Sequence, residues 1–232
     1  MSAYTWTGAI SGNVSLAGNY NPTSGPPGPA DTVNENTTET TKPSSGSITV
    51  GTWNLSAGTG PSNTNATITA AQLNITTPSN VTDGTWNGPA TFGPNVSIHG
   101  GTWNGTATFT GGTVAAGTWN GIVNITDADN AFYINGGYFN NNVSLNTTNG
   151  AANYITVNAG TFNAPVNATG AYTQIGNATG QYATINSTLT LTNDAYVCNI
   201  KLGPNASLHF PQQTLYSTRP FLSRPMSGGY NG

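Results

Sequence analysis

Gly84-Thr85-Trp86-Asn87-Gly88-Pro89-Ala90-Thr91-Phe92-Gly93-Pro94-Asn95-Val96-Ser97-Ile98-His99-Gly100 is the stretch that decides the fold. It holds three short runs: Thr85-Trp86-Asn87, Ala90-Thr91-Phe92 and Val96-Ser97-Ile98. In each, apolar and polar residues alternate, as they do in strands, and Gly, Pro and Asn separate the runs as turn residues do. Residues 101–116 repeat the order with Thr102-Trp103-Asn104, Ala107-Thr108-Phe109 and Thr113-Val114-Ala115. Three strands and three corners make a triangular coil. Stacked coils pair each strand in parallel with its equivalents above and below, at about 4.8 Å.

Working outward, Gly-Thr-Trp-Asn occurs at 51–54, 84–87, 101–104 and 117–120, in steps of 33, 17 and 16 residues. The first step is close to twice the others, which predicts a degenerate copy at Gln72-Leu73-Asn74. Further copies read as Gly137-Tyr138-Phe139-Asn140, Gly160-Thr161-Phe162-Asn163, Thr184-Ile185-Asn186 and Val197-Cys198-Asn199. A period of this kind signals a stacked repeat. It is too short for a propeller blade, and a sandwich has no reason to keep one motif in register. The expectation is an all-β, parallel β-solenoid, a triangular β-helix of about 17–23 residues per coil. Trp53, Leu73, Trp86, Trp103, Trp119, Phe139 and Phe162 are expected to form one inward ladder, Phe92 and Phe109 a second, and Val96-Ile98 positions a third. Asn after the aromatic is expected at a corner, bonding from coil to coil.

Composition narrows the function. Of 232 residues, 4 are Lys or Arg, 7 Asp or Glu and 2 His, so 5% are charged where an average domain has about 25%. There is no basic footprint for nucleic acid. Thirteen ionisable side chains of these types are few from which to gather a catalytic pocket, and no enzyme activity or cofactor is expected. No stretch approaches the roughly 18 apolar residues of a membrane-spanning helix, so no membrane insertion is expected. Met1-Ser2-Ala3-Tyr4-Thr5-Trp6 lacks the basic and apolar regions of a signal peptide. Two origins stay open: a chain that is not translocated, or one whose leader was removed. Cys198 is the only cysteine; Val197 and Ile200 beside it suggest a buried, apolar thiol.

The chain divides into residues 1–46, an atypical cap coil with a Pro/Gly/Ser-rich loop; 47–210, the solenoid; and 211–232, an extended C-terminal arm. The arm, with Arg219, Phe221, Leu222, Arg224 and Met226, reads either as a disordered end or as an extended element that docks on another subunit. Asp127, Asp129 and Asn130 are weak candidates for a Ca²⁺ corner, against the plainer reading of a solvated turn. His99 and His209 read as surface residues. Asn-x-Ser/Thr sequons are numerous, and Asn95, Asn104, Asn142, Asn167, Asn177 and Asn205 are candidate glycan acceptors in a secreted chain. Tyr133, Tyr138, Tyr154, Tyr172 and Tyr182 offer rings that could stack on sugars, or pack as core and edge residues.

The opening Tyr4-Thr5-Trp6-Thr7-Gly8, then Asn19-Tyr20-Asn21-Pro22 and the segment from Gly25 to Asp31-Thr32-Val33, resembles the start of β-solenoid proteins of bacterial surfaces and phage virions. Those carry Thr-Trp-Thr-Gly, a later Asn-Trp-x-Pro, and Gly-x-Gly-Asp-x-Val before the repeats. Here Tyr20 replaces the second Trp, and Ala30 the Gly before Asp31. The resemblance implies a structural or adhesive role and transfers no catalytic residues. The leading expectation is a virion component, a tail fibre, spike or capsid decoration, that self-associates or joins other structural subunits through its ends and arm. The alternatives are a secreted, glycosylated filament or adhesin at the cell surface, and a β-helix that binds cell-surface glycans.

Overall fold

The computed structural model describes residues 1–35, 42–56, 58–59, 66–76, 79–126, 131–147, 154–169, 173–176, 181–192, 196–197 and 199–209. They form an all-β solenoid of stacked parallel strands, and the one helical element among them is the short 3-10 turn Ala17–Asn19. Thr85–Asn87, Ala90–Phe92 and Ser97–Ile98 form the three faces of one coil. Thr102–Trp103, Ala107–Phe109 and Gly112–Val114 form those of the next, in register beneath them. Elsewhere the chain runs straight through a corner. Ser47–Leu55 and Thr67–Ile75 serve the first and second faces together. Phe132–Phe139 and Ile155–Phe162 join a third face to the next first face.

The inward residues stack into columns. The first-face column runs Ile48, Ile68, Trp86, Trp103, Trp119, Phe139, Phe162, Ile185, Leu202. Its rings lie parallel: Trp86 to Trp103 at 5.0 Å and 3°, Trp103 to Trp119 at 5.2 Å and 8°, Phe139 to Phe162 at 4.6 Å and 6°. The second face carries two inward columns. One runs Val33, Trp53, Leu73, Ala90, Ala107, Val123, Val143, Val166, Leu189, Leu208. The other holds Leu55, Ile75, Phe92, Phe109, Ile125, Leu145, Ala168 and Leu191, with Phe92 and Phe109 stacked at 4.2 Å. The third face adds Val81, Ile98, Val114, Ile134, Val157, Ile175 and Val197.

Volume is shared between columns of one coil. Where the first face carries Ile48 or Ile68, the second carries Trp53 or Leu73; where it carries Trp86 or Trp103, the second carries Ala90 or Ala107. A cross-section of fixed size admits one large side chain across that corner and not two, as expected of interiors packed to crystal density.

This arrangement corrects two expectations. Trp53 and Leu73 do not belong to the ladder of Trp86, Trp103, Trp119, Phe139 and Phe162. Trp53 pairs with Leu73, Leu73 pairs with Ala90 on the second face, and Trp86 sits on Ile68. The cause is backbone conformation. Gly84, Gly101, Gly117, Gly137 and Gly160 have φ between 90° and 130° and turn the chain onto the first face. Gly51 takes no such positive φ, and the chain runs through it extended within Ser47–Leu55. One four-residue motif therefore occupies two different places in the coil. The copy expected at Val197-Cys198-Asn199 is also out of column: Val197 pairs with Ile175, and Ile185 with Leu202. Cys198 lies outside the described residues. The true first-face steps are 20, 18, 17, 16, 20, 23, 23 and 17 residues.

Parallel pairing begins inside the opening segment, since Ala3–Trp6 pairs with Thr32–Glu35 and that strand with residues 52–55.

Candidate functional site

The residues that could carry function lie at the two ends of the stack and on its outer faces. At the N-terminal end the core is closed. Tyr20 returns antiparallel to Trp6 and meets its ring edge-on at 5.1 Å. The Tyr20 hydroxyl donates to Val14 O at 2.7 Å, and both rings are buried. Asn19 is fully buried, yet all its polar capacity is used. Its Oδ1 accepts from the Ile10 and Ser11 amides, each at 2.9 Å, and its Nδ2 donates to Asn13 O at 2.8 Å and to Ser11 Oγ at 3.3 Å. A buried amide satisfied in this way fixes a loop that backbone pairing alone would not.

Glu35 is the residue that sequence reasoning missed. It is buried in the column of Leu55, and its Oε2 accepts the Trp53 indole N–H at 3.0 Å. The alternation in Thr32-Val33-Asn34-Glu35 was a legible signal, because an inward Val33 forces Glu35 inward as well. Burial first, and the Glu35 carboxyl second, push the Tyr20 hydroxyl far above the ordinary tyrosine range. On the surface nearby, Asp31 accepts the Gly28 amide at 3.0 Å and the Ser2 amide at 2.6 Å, and these bonds hold its carboxyl below the usual range.

The other end of the described stack is different. Val197, Leu202 and Leu208 continue the columns, and they and the neighbouring Ile200 and Ala206 are only partly buried. Their predecessors Ile185, Leu189 and Ile175 are 0–1% exposed. Lys201 and His209 face outward there and are exposed.

Asparagine ladders run along the faces. On the first face Nδ2 donates to the preceding Oδ1 from Asn104 to Asn87 at 2.7 Å, Asn120 to Asn104 at 2.8 Å, Asn140 to Asn120 at 2.9 Å, Asn163 to Asn140 at 2.8 Å and Asn186 to Asn163 at 2.8 Å. Asn87 begins the ladder on Thr69 Oγ1. A second ladder joins Asn74, Asn54 and Asn34 on the second face. Asn54 and Asn74 lie within strands, not at the expected corner. Among the candidate glycan acceptors, Asn104 has both polar atoms committed to this ladder. Asn95, Asn142, Asn167 and Asn205 are exposed, and Asn177 lies outside the described residues.

The structure brings Tyr133 and Tyr154 together: their hydroxyls are hydrogen-bonded and their rings meet edge-on at 5.7 Å. Tyr138 and Tyr182 stand apart, each more than half exposed. Tyr172, Asp127, Asp129, Asn130, Arg219, Phe221, Leu222, Arg224 and Met226 lie outside the described residues. Among the described residues no three His, Cys, Asp or Glu side chains are grouped as metal ligands, and no helix is long and apolar enough to cross a membrane. His99 and His209 are exposed. No family model, curated protein or solved structure matches the chain.

Proposed function

We propose that this chain is a non-enzymatic structural subunit that joins a second copy through the C-terminal end of its solenoid, as a virion component such as a tail fibre, spike or capsid decoration. One observation carries the reading: three inward columns end on half-buried Val197, Ile200, Leu202 and Leu208 while the opposite end is closed within the chain. Among the described residues such an end presents strand edges with no further partner strand together with aliphatic side chains. Two copies meeting across a twofold axis bury the same patch on both sides, and the uncharged aliphatic surface is complementary to itself. The described residues stop at His209, and the sequence that follows includes the apolar residues Phe221, Leu222 and Met226. The near absence of charge and the side-chain ladders suit a stiff, inert rod.

Light scattering on the full chain tests the reading. The expected result is a dimer or larger species that becomes monomeric when Leu202→Glu and Leu208→Glu are combined. A monomeric parent chain, or assembly indifferent to the double substitution, would overturn it. Intact mass of the chain from its native particle tests the location: an unmodified mass supports the virion, and a ladder of sugar units supports a secreted filament decorated at exposed sequons such as Asn142 and Asn167.

A further inference from the structure

A groove of about 350 Å³ lies on the third face, lined by Asn95, Ser97, Gly112, Thr113, Ala131 and Tyr133. Its shape follows from the backbone. Ser97 and Thr113 are register partners and face outward, and Tyr133 is the next residue in their row. Gly112 shares the inward column of Phe132. A Cβ on Gly112 would meet Val96 O at 2.2 Å, so the coil sits close under its neighbour there and Gly112 lines the groove with backbone alone. Asn95 has φ 64°, the left-handed conformation that Asn tolerates, and is exposed at the rim.

The lining has three chemical properties. Among the described residues it is uncharged, since none of the six is Asp, Glu, Lys, Arg or His. It offers unspent hydrogen-bonding capacity: the side chains of Asn95, Ser97 and Thr113 bond to no other protein group among the described residues. This contrasts with the first face, where the asparagines satisfy one another. It also includes an aromatic ring held in place, because Tyr154 meets Tyr133 edge-on and their hydroxyls bond. An amide and two hydroxyls beside a fixed ring match a ligand that is itself amphipathic: hydroxyls around its edge and C–H groups on its face. We propose that this groove binds a short stretch of neutral saccharide, with Tyr133 as the stacking platform, Asn95, Ser97 and Thr113 as hydrogen-bonding groups and Tyr154 as the positioning residue. The volume lies near the lower end of small-molecule sites, about 300–1,000 Å³, which limits it to a few sugar units at most. The absence of charge selects against sulfated or sialylated glycans, which need cationic partners.

This site is separate from the C-terminal end and does not depend on assembly there. The test is retention of the full chain on an array of immobilised neutral, sialylated and sulfated glycans, followed by titration with the free neutral oligosaccharide retained best. Tyr133→Ala is expected to weaken that binding by about tenfold or more, through loss of a ring's buried area. Thr113→Trp, an outward substitution that fills the groove, is expected to abolish it while the thermal midpoint followed by circular dichroism stays near the parent value. The pair Leu202→Glu and Leu208→Glu is expected to leave it unchanged, so failure of the assembly reading and failure of this one are told apart. No retention of the parent chain, retention of charged glycans only, or binding unaffected by Thr113→Trp would overturn the proposal.

Discussion

The two ends of the stack solve the same problem differently. Every parallel coil leaves strand edges and apolar side chains facing along the axis, and an interior coil hides them under its neighbours. At the N-terminal end the chain supplies the cover itself: an antiparallel return places Tyr20 on Trp6, and Asn19 fastens the loop with four hydrogen bonds. At the C-terminal end Val197, Ile200, Leu202 and Leu208 stand half-buried with no comparable lid among the described residues. Closure thus takes a dedicated piece of irregular chain, and repetition alone does not provide it. The contrast says where each end has stability to lose.

The largest expected difference comes from truncating one column member at each end. Trp6→Ala removes a fully buried ring under the cap and is expected to cost about 3–5 kcal/mol, read as a lower urea midpoint. Leu208→Ala removes a half-buried side chain and is expected to cost well under half as much. Equal losses would mean the C-terminal end is as well covered as the other. Next comes Asn19→Ala, which leaves the Ile10 and Ser11 amides without their acceptor. These amides are only part-buried, so the cost is expected toward the lower end of the roughly 1–3 kcal/mol for stranded polar groups, and amide exchange over residues 7–19 is expected to rise before the global transition moves. Exchange rising evenly along the solenoid would show that the cap is not a separate unit.

How much of this was legible in the sequence follows the same division. The regular coils were readable because Trp86, Trp103 and Trp119 recur with the same glycine corner before them, so motif and backbone repeat together. Trp53 carries an identical four-residue motif, but its Gly51 lacks the positive φ of the corner glycines, which the sequence does not show. Only the sharing of volume across the coil, Trp53 with Ile48 and Ala90 with Trp86, reveals the shift, and that is a three-dimensional constraint. Glu35 was overlooked because an inward carboxylate contradicts the pattern of the columns, although its alternation with Val33 was visible. The groove beside Tyr133 was legible only as an exposed tyrosine, since its walls come from residues up to 38 positions apart (Asn95 to Tyr133).

Titration probes the closed end directly, because Tyr20 and Asp31 there are shifted in opposite directions. The Tyr20 hydroxyl is raised, so above the ordinary tyrosine pKa of about 10 the unfolded chain loses this proton while the folded cap keeps it. The stability it contributes is full below that range and falls as pH rises through it. Alkaline urea titration is expected to weaken the cap, and Tyr20→Phe is expected to flatten that dependence while lowering stability at neutral pH, because Val14 O loses its donor. Asp31 acts with the opposite sign. Its lowered carboxyl contributes above the ordinary aspartate range and loses that contribution as pH falls, an effect kept small by solvent screening at the surface. A cap whose stability is level from acid to alkaline pH would contradict both assignments.

The smallest expected effect is a gain, and it tests whether buried polar groups are treated differently along the stack. Asn19, at the closed end, is buried and fully bonded. Thr173, toward the open end, is 0% exposed, and its Oγ1 has no hydrogen-bond partner. It follows Ile155 in an inward third-face column, where every other requirement is apolar. A hydroxyl buried without a partner costs about 1–3 kcal/mol on the scale of protein substitutions. Valine has nearly the same shape and the same β-branch, so Thr173→Val removes the stranded group without opening a cavity. The expected outcome is a stabilisation of about 1 kcal/mol, seen as a small rise in the urea midpoint with an unchanged slope. The reciprocal change at the closed end, Asn19→Leu, is expected to destabilise, because there the polar atoms are the structure's fastening. If Thr173→Val lowers stability instead, the hydroxyl is bonded in solution, and the difference in polar satisfaction between Asn19 and Thr173 disappears with it.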